Sequence, residues 1–369
     1  MTCYLRERKF VWSQGLIRKN IGKESFMKGV AALIFSQVLI KILGLIHTLY
    51  LTNRDGFKDE GNAIYMGGYQ IYALLLAFSS IGVPNAIAKL VSEKIAVGDN
   101  RGAYRIFKIA FASFSFIGLV GTLLLFSFSN FIAFEWLQIP EADYTLKVLS
   151  PAIFFVSISS VLRGYFNGLE MMSATANSQT FEQLIKTILT ISLVEIAAFI
   201  SSTSTDVMAY TATIATSTAT FFSFIYLFRF YKSTIKEISM CNKNGVQTDR
   251  GSVRSVIKRI LGVSVPISVT ALLSTINRNV DSFTVVRLLK PMIGEDAAKI
   301  KYGILSGKVD ILTTMPLAFN IAFATALVPA VSGAMAKKDK YTVNKKLSFS
   351  LLLTTLIGLP CTVRNGYFF

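Results

Sequence analysis

Residues 109–134 read IAFASFSFIGLVGTLLLFSFSNFIAF, 26 positions without one Asp, Glu, Lys or Arg. Wound as an α-helix, that stretch is about 39 Å long, more than the roughly 30 Å hydrocarbon core of a bilayer. A soluble helix of this length would carry a charged outer face. This one has none, so its surroundings are lipid or protein. Gly61–Ala88, Val207–Phe228 and Ile311–Ala336 are likewise free of charge. The whole chain of 369 residues is 52% hydrophobic and 16% charged, against about a quarter charged in a soluble domain.

None of these runs alternates polar and apolar residues, which excludes a membrane β-barrel. The expected fold is all-α, a polytopic transmembrane helix bundle. Nine apolar segments are read, near 29–51, 64–88, 109–134, 148–168, 184–200, 207–228, 260–286, 309–336 and 347–363. The 24 Gly and 29 Phe suit such a bundle, because small residues let helices approach and aromatic rings meet lipid.

The formal net charge of +17 is explained by where the charges lie. Loops assigned to one side (1–28, 89–108, 163–186, 229–259 and 337–346) hold 27 Lys and Arg, and the opposite loops hold 9. Basic loops stay in the cytoplasm, so the N-terminus is expected there. No recognition fold accompanies the charge, and no nucleic-acid partner is expected. Cys3, Cys241 and Cys361 are scattered and odd in number, which indicates neither a disulfide nor a metal site. No apolar core of a signal peptide precedes the first span. Met27 would also serve as a start, so residues 1–26 are read as a basic cytoplasmic arm.

Residues 27–230 form the expected first lobe of six spans, 231–259 a polar cytoplasmic linker, and 260–369 a second lobe with about three spans. The string GVPNAI at 82–87 closes the second span and LVPAVS at 327–332 the eighth, each followed by a basic turn. Six spans per unit bring a duplicate back in the same orientation, a parallel repeat. On that reading the chain stops in the ninth span, three or so helices short of a complete second lobe.

Ionisable groups inside apolar spans cost about 3 kcal/mol or more at the bilayer centre and usually face an interior path. Lys41 is the deepest of them and is read as cavity-lining. His47, near the outer end of the same span, is read first as an interfacial imidazole. Asn277, Arg278 and Asp281 share one helix face, where an Arg278–Asp281 pair and a substrate or coupling-ion contact are both open. Lys308 and Asp310 open the eighth span close to the outer surface. Glu195 lies one turn from its helix end, and Arg163 follows the fourth span, where Gly164 and Gly168 suit a helix exit. Neither a phosphate loop, a zinc-protease helix nor a nucleophile elbow is present, and one His serves the whole chain. No enzyme activity, metal or cofactor is expected.

Several strings then carry a resemblance. They are FMKG at 26–29, KILG at 41–44, GVPNAIAKLVSE at 82–93, SVLRGYFNG at 160–168, VDSFTV at 280–285, YGILSG at 302–307 and ATALVPAVS at 324–332. With them the chain resembles, over residues 26–360, the polysaccharide-transporter, stage V sporulation protein B-like branch of the multidrug/oligosaccharidyl-lipid/polysaccharide exporter superfamily, relatives of the lipid II flippases. The resemblance implies two six-helix lobes around a cavity that opens alternately to each side of a bacterial cytoplasmic membrane, passing a lipid-linked sugar across. Lys41 matches a family basic position, whereas the basic residue that follows KILG in the family falls at Thr48 here. Full members have about fourteen spans, so the resemblance also implies a C-terminal truncation.

The expected function is therefore a flippase or exporter for a lipid-linked oligosaccharide, with Lys41 and Arg278 neutralising its pyrophosphate and Asn277 and Asp281 setting the field or holding a coupling ion. The alternatives are a cation-coupled multidrug exporter and a non-transporting scaffold or inactive fragment. The partners expected are the lipid-linked sugar and membrane lipid.

Overall fold

The computed structural model describes residues 26–77, 82–200, 204–242, 252–309 and 339–366, with short pieces between 327 and 335. Asp310 lies outside them, as do the side chains of Asn277, Arg278 and Lys308. Every element with an assigned range among the described residues is helical. In chain order they are α1 (Phe26–Asn53), α2 (Lys58–Ala77), α3 (Val83–Ala96), α4 (Asn100–Phe131), α5 (Ala142–Gly168), α6 (Met172–Ile200), α7 (Thr205–Asn242), α8 (Val253–Ile293), α9 (Glu295–Ile304) and α10 (Lys340–Gly366). Wider π-type turns extend α4 over Ile132–Leu137 and α9 over Leu305–Val309. Among the described residues six helices are long and apolar enough to cross a membrane, within α1, α4 with its π turn, α5, α6, α7 and α8.

The surface of α4 confirms the lipid reading from side-chain placement. Its exposed face carries Phe116, Leu119, Leu123, Leu124 and Phe128, while Gly118 and Ser129 point inward. A soluble helix would carry polar side chains on that exposed face. The interior belongs to α5, whose apolar window is 72% buried and which packs against α2, α3, α4 and α7. Pro151 inside α5 has no N–H for the Lys147 carbonyl. Ser150 Oγ donates to that carbonyl at 2.8 Å, so the helix continues without an orphaned acceptor in the bilayer.

Three boundaries differ from the linear pattern. Helix runs past the 64–88 apolar run as α3, which carries Pro84 in its first turn and continues to Ala96. The stretch 163–186 is not a loop. Arg163 sits inside α5, a tight turn at Leu169–Met171 follows, and α6 starts at Met172, three turns before the apolar run at 184. The polar stretch 231–259 is largely helical, because α7 runs to Asn242 and α8 begins at Val253. Ser252 caps α8 by accepting from the Ser255 N–H at 3.2 Å.

Gly168 is the last residue of α5, at the helix exit, and Gly164 lies one turn inside it. Both face α3, and a Cβ on Gly164 would lie 2.8 Å from the Pro84 carbonyl oxygen. Two glycines four apart let α3 and α5 touch backbone to backbone, a small-residue packing seam.

Candidate functional site

Helices α1, α2, α6 and α7 enclose a polar interior. Along α1 and α6 the contact is made of small and amide side chains. Ser36 Oγ donates to the Ala176 carbonyl at 2.9 Å and meets Thr180 Oγ1 at 2.7 Å. Gln37 Nε2 donates to Gln179 Oε1 at 2.9 Å. Further along α6, Thr187 Oγ1 reaches the Leu43 carbonyl at 3.4 Å.

Two cations lie within this interior. The Arg163 guanidinium, on α5, donates to Glu182 Oε2 at 2.7 Å, to Ser223 Oγ at 3.0 Å and, through Nε, to Ser178 Oγ at 3.1 Å. It is a three-helix clamp joining α5, α6 and α7. One turn beyond Glu182, the Lys186 ammonium lies 4.6 Å from the ring centroid of Tyr69 and 5.7 Å from that of Tyr65. The two tyrosines stack at 5.9 Å, and Tyr72 continues the row. His47 is buried, its ring 5.9 Å from Tyr65, and its Nε2 has no hydrogen-bond partner among the described residues.

The residues proposed from the sequence scatter around this cluster. His47 is in it, as an interior group and not an interfacial one. Arg163 borders it through Glu182. Lys41 is half-buried on α1, the helix that carries His47. Glu195 is at an exposed end of α6, where its carboxylate accepts from Arg54 at 2.9 Å and from the Tyr50 hydroxyl at 2.5 Å. Asp281, on α8, is exposed. Asn277, Arg278, Lys308 and Asp310 fall outside the described side chains.

The sequence reading missed Lys186, Glu182 and the tyrosines. A signal was there: Tyr65, Tyr69 and Tyr72 recur at four and three residues, one helix face. Lys186 is hidden in one dimension because it falls at the edge of the polar stretch 163–186.

A second set of contacts joins α8 and α9 to the first seven helices at the end of the bundle that carries the 54–57 turn. Asn62 Nδ2 donates to the Gly303 carbonyl at 2.7 Å. Lys299 is 3.3 Å from both Glu141 and Glu295, and Lys290 is 2.7 Å from Glu295. Burial alone would lower the Lys299 pKa, but Glu141 and Glu295 outweigh it and hold the ammonium above its usual range. Hydrogen bonds from Lys290 and Lys299 keep the Glu295 carboxyl below its usual range. Trp136 meets Phe283 edge-on at 5.8 Å beside them.

Comparison with known proteins agrees with this architecture. The sequence profile of the family described as "Polysaccharide biosynthesis protein" matches residues 26–335. The chain is 29% identical to stage V sporulation protein B of Bacillus subtilis, over 92% of this chain and 64% of that protein. It is 21% identical to the lipid II flippase MurJ of the same organism, over 91% of this chain and 63% of that one. The chain thus spans under two thirds of the length of these relatives. Among solved structures, an outward-facing multidrug resistance MATE family transporter of the MOP superfamily superposes with a TM-score of 0.66 at 14% identity, over 93% of this chain and 73% of that one.

Proposed function

The chain belongs to the polysaccharide biosynthesis protein family, and from that premise we propose that it is the part of a membrane flippase that receives the pyrophosphate head group of a lipid-linked oligosaccharide. The observation that carries the reading is Lys186. An ammonium in the bilayer interior costs about 3 kcal/mol or more. Each tyrosine face returns about 0.5–2 kcal/mol, and a hydrogen bond to Tyr65 and the nearby Glu182 carboxylate add to that, so the ammonium stays charged inside the bundle. A charged lysine between aromatic faces is what a passing anion would meet. Arg163 is already committed to Glu182 at 2.7 Å and holds the helices in place, whereas Lys186 lies against tyrosine faces and can turn to a substrate anion.

The physical demand is to carry a charged, hydrated head group across about 30 Å of hydrocarbon while the lipid tail stays in the bilayer. On this reading helices α1–α7 form one lobe and α8 onward begins another, with the end bearing Asp99 in the cytoplasm. The Glu141–Lys299 and Asn62–Gly303 contacts hold the lobes together at the opposite end, and their release opens the path outward. A cation-coupled drug exporter would instead place unpaired acids in the interior, where this chain has a lysine.

The test is a reconstituted assay. A fluorescent lipid-linked oligosaccharide is placed in proteoliposomes, and its accessibility to an impermeant quencher is followed. Because the chain spans under two thirds of its relatives, it is assayed alone and joined to the C-terminal remainder of stage V sporulation protein B. Accessibility should rise with the joined protein and fall at least tenfold in Lys186→Ala. Equal rates for both joined proteins would refute the role of Lys186.

A further inference from the structure

At the end of the bundle that carries Asp99, α3 and α8 diverge around a cleft of about 730 Å³, within the range of small-ligand sites. Its walls differ in kind. Lys89, Glu93 and Lys94 of α3 and Arg259 of α8 form a charged side, while Val263 and Ile267 of α8 and the described residues of 327–335 form an apolar one. The cleft is thus amphiphilic, with three cations against one acid.

The cations are not equally committed. Lys94 is held by Asp99 at 3.1 Å, an aspartate wholly buried as the cap of α4. Arg259 reaches across the cleft to Glu93 at 3.6 Å, a long pair with half of the arginine side chain exposed. Lys89 makes no ion pair among the described residues. Two cations are therefore available to an anion, and Glu93 occupies the place that anion would take.

We propose that this cleft is the loading site for the anionic prenyl lipid that the transporter carries: Lys89 and Arg259 take its pyrophosphate and the apolar wall takes the first isoprene units. The inference rests on the transport reading above and adds where the lipid is met before it reaches Lys186. Charge complementarity selects the head group, since charge-assisted hydrogen bonds to phosphate are about twice as strong as neutral ones. The apolar wall selects a lipid over free pyrophosphate. Glu93 is an internal competitor: bound pyrophosphate displaces it from Arg259.

The experiment is a binding titration of the purified full chain in neutral-detergent micelles, with geranylgeranyl pyrophosphate as probe and helical content checked by circular dichroism. The Lys89→Ala/Arg259→Ala double variant should bind at least tenfold more weakly. Glu93→Gln, which removes the competitor and keeps the volume, should bind at least threefold more tightly, so a gain of binding accompanies the loss. Geranylgeraniol and inorganic pyrophosphate should each bind at least tenfold more weakly than the probe. Dioleoylphosphatidylglycerol that binds as tightly and displaces the probe would overturn the proposal in favour of a bulk-lipid site. Binding unchanged in the cleft variants but lost in Lys186→Ala would overturn the cleft and leave the transport reading standing. Absence of probe binding by the unaltered chain would overturn the loading site, while the transport reading stands or falls by the flipping assay of the joined protein.

Discussion

The contact between α3 and α5 is the place where one methyl group should be most damaging. A Cβ added at Gly164 would lie 2.8 Å from the Pro84 carbonyl oxygen, 2.9 Å from Pro84 Cα and 3.0 Å from Ile87 Cβ. Carbon contacts are comfortable at about 3.5–4.0 Å, so the helices must part by roughly 0.5–1 Å. Two of the three neighbours are backbone atoms, and neither can rotate aside. The separation would also loosen Val83, Ile87, Leu162 and Phe166, which are buried together there. Overpacking of this kind costs about 1–3 kcal/mol. Gly262, on α8, provides the control, because nothing lies within 4 Å of its added Cβ. An alanine there should be neutral or stabilise by up to about 1 kcal/mol through helix propensity. Thermal unfolding of the detergent-solubilised protein, followed by circular dichroism, should show Gly164→Ala melting several degrees below wild type and Gly262→Ala at or above it. Equal melting temperatures for all three proteins would refute the backbone contact between α3 and α5.

Four further outcomes are expected. Glu195→Gln should leave flipping by the joined protein within twofold of wild type, since Glu195 is paired at an exposed helix end with Arg54 and Tyr50; a tenfold loss would return it to the transport path. Glu295 has a depressed pKa in the folded chain, so its contribution to stability is complete above the unfolded value of about 4.3 and is lost as pH falls through the folded value. Wild type and Glu295→Gln should therefore melt apart at pH 7 and draw together as pH falls below the unfolded carboxyl range, and a gap that does not narrow on acidification would contradict the pairing. A double-mutant cycle of Glu141→Ala and Lys299→Ala should give a coupling of about 0.5–3 kcal/mol in unfolding, and additivity would show that the ion pair does not join α9 to the 140–141 turn. For topology, a single cysteine at exposed Val97, in a background without native cysteines, should react with an impermeant reagent only after the inner face of the membrane is opened. Labelling in intact cells would reverse the orientation.

What the sequence disclosed and what it hid have separate physical causes. Charge-free runs such as 109–134 announce a membrane helix because lipid penalises every exposed polar group, and α4 is found there. The pair Gly82 and Pro84 marks the end of an apolar run, yet the structure shows helix from Val83 to Ala96, beyond it. The start of α6 was obscured because Gln179, Glu182, Gln183 and Lys186 look like loop residues in one dimension. They are tolerated inside the bundle through partners 19 to 142 positions away, Arg163 for Glu182 and Gln37 for Gln179. Linear hydropathy contains no such information. The candidate site is partly legible for the same reason: His47 stands out as an ionisable group in an apolar run, while Lys186 sits among polar neighbours that mask it. Gly164 and Gly168 were read as an exit because helix ends favour glycine, and their role as a packing seam depends on α3 lying opposite.

The most direct measurement is made in living cells whose own lipid-linked precursor flippase can be switched off. Radiolabelled precursor is traced while the joined protein, carrying either Lys186 or Lys186→Ala, is expressed at matched levels. The readout is the fraction of precursor cleaved by a glycan-degrading enzyme added outside. A path guided by the interior lysine predicts that this fraction recovers with Lys186 and stays at the depleted level with Lys186→Ala. No recovery with either protein, accompanied by increased efflux of cationic dyes, would contradict it and assign the bundle to drug export.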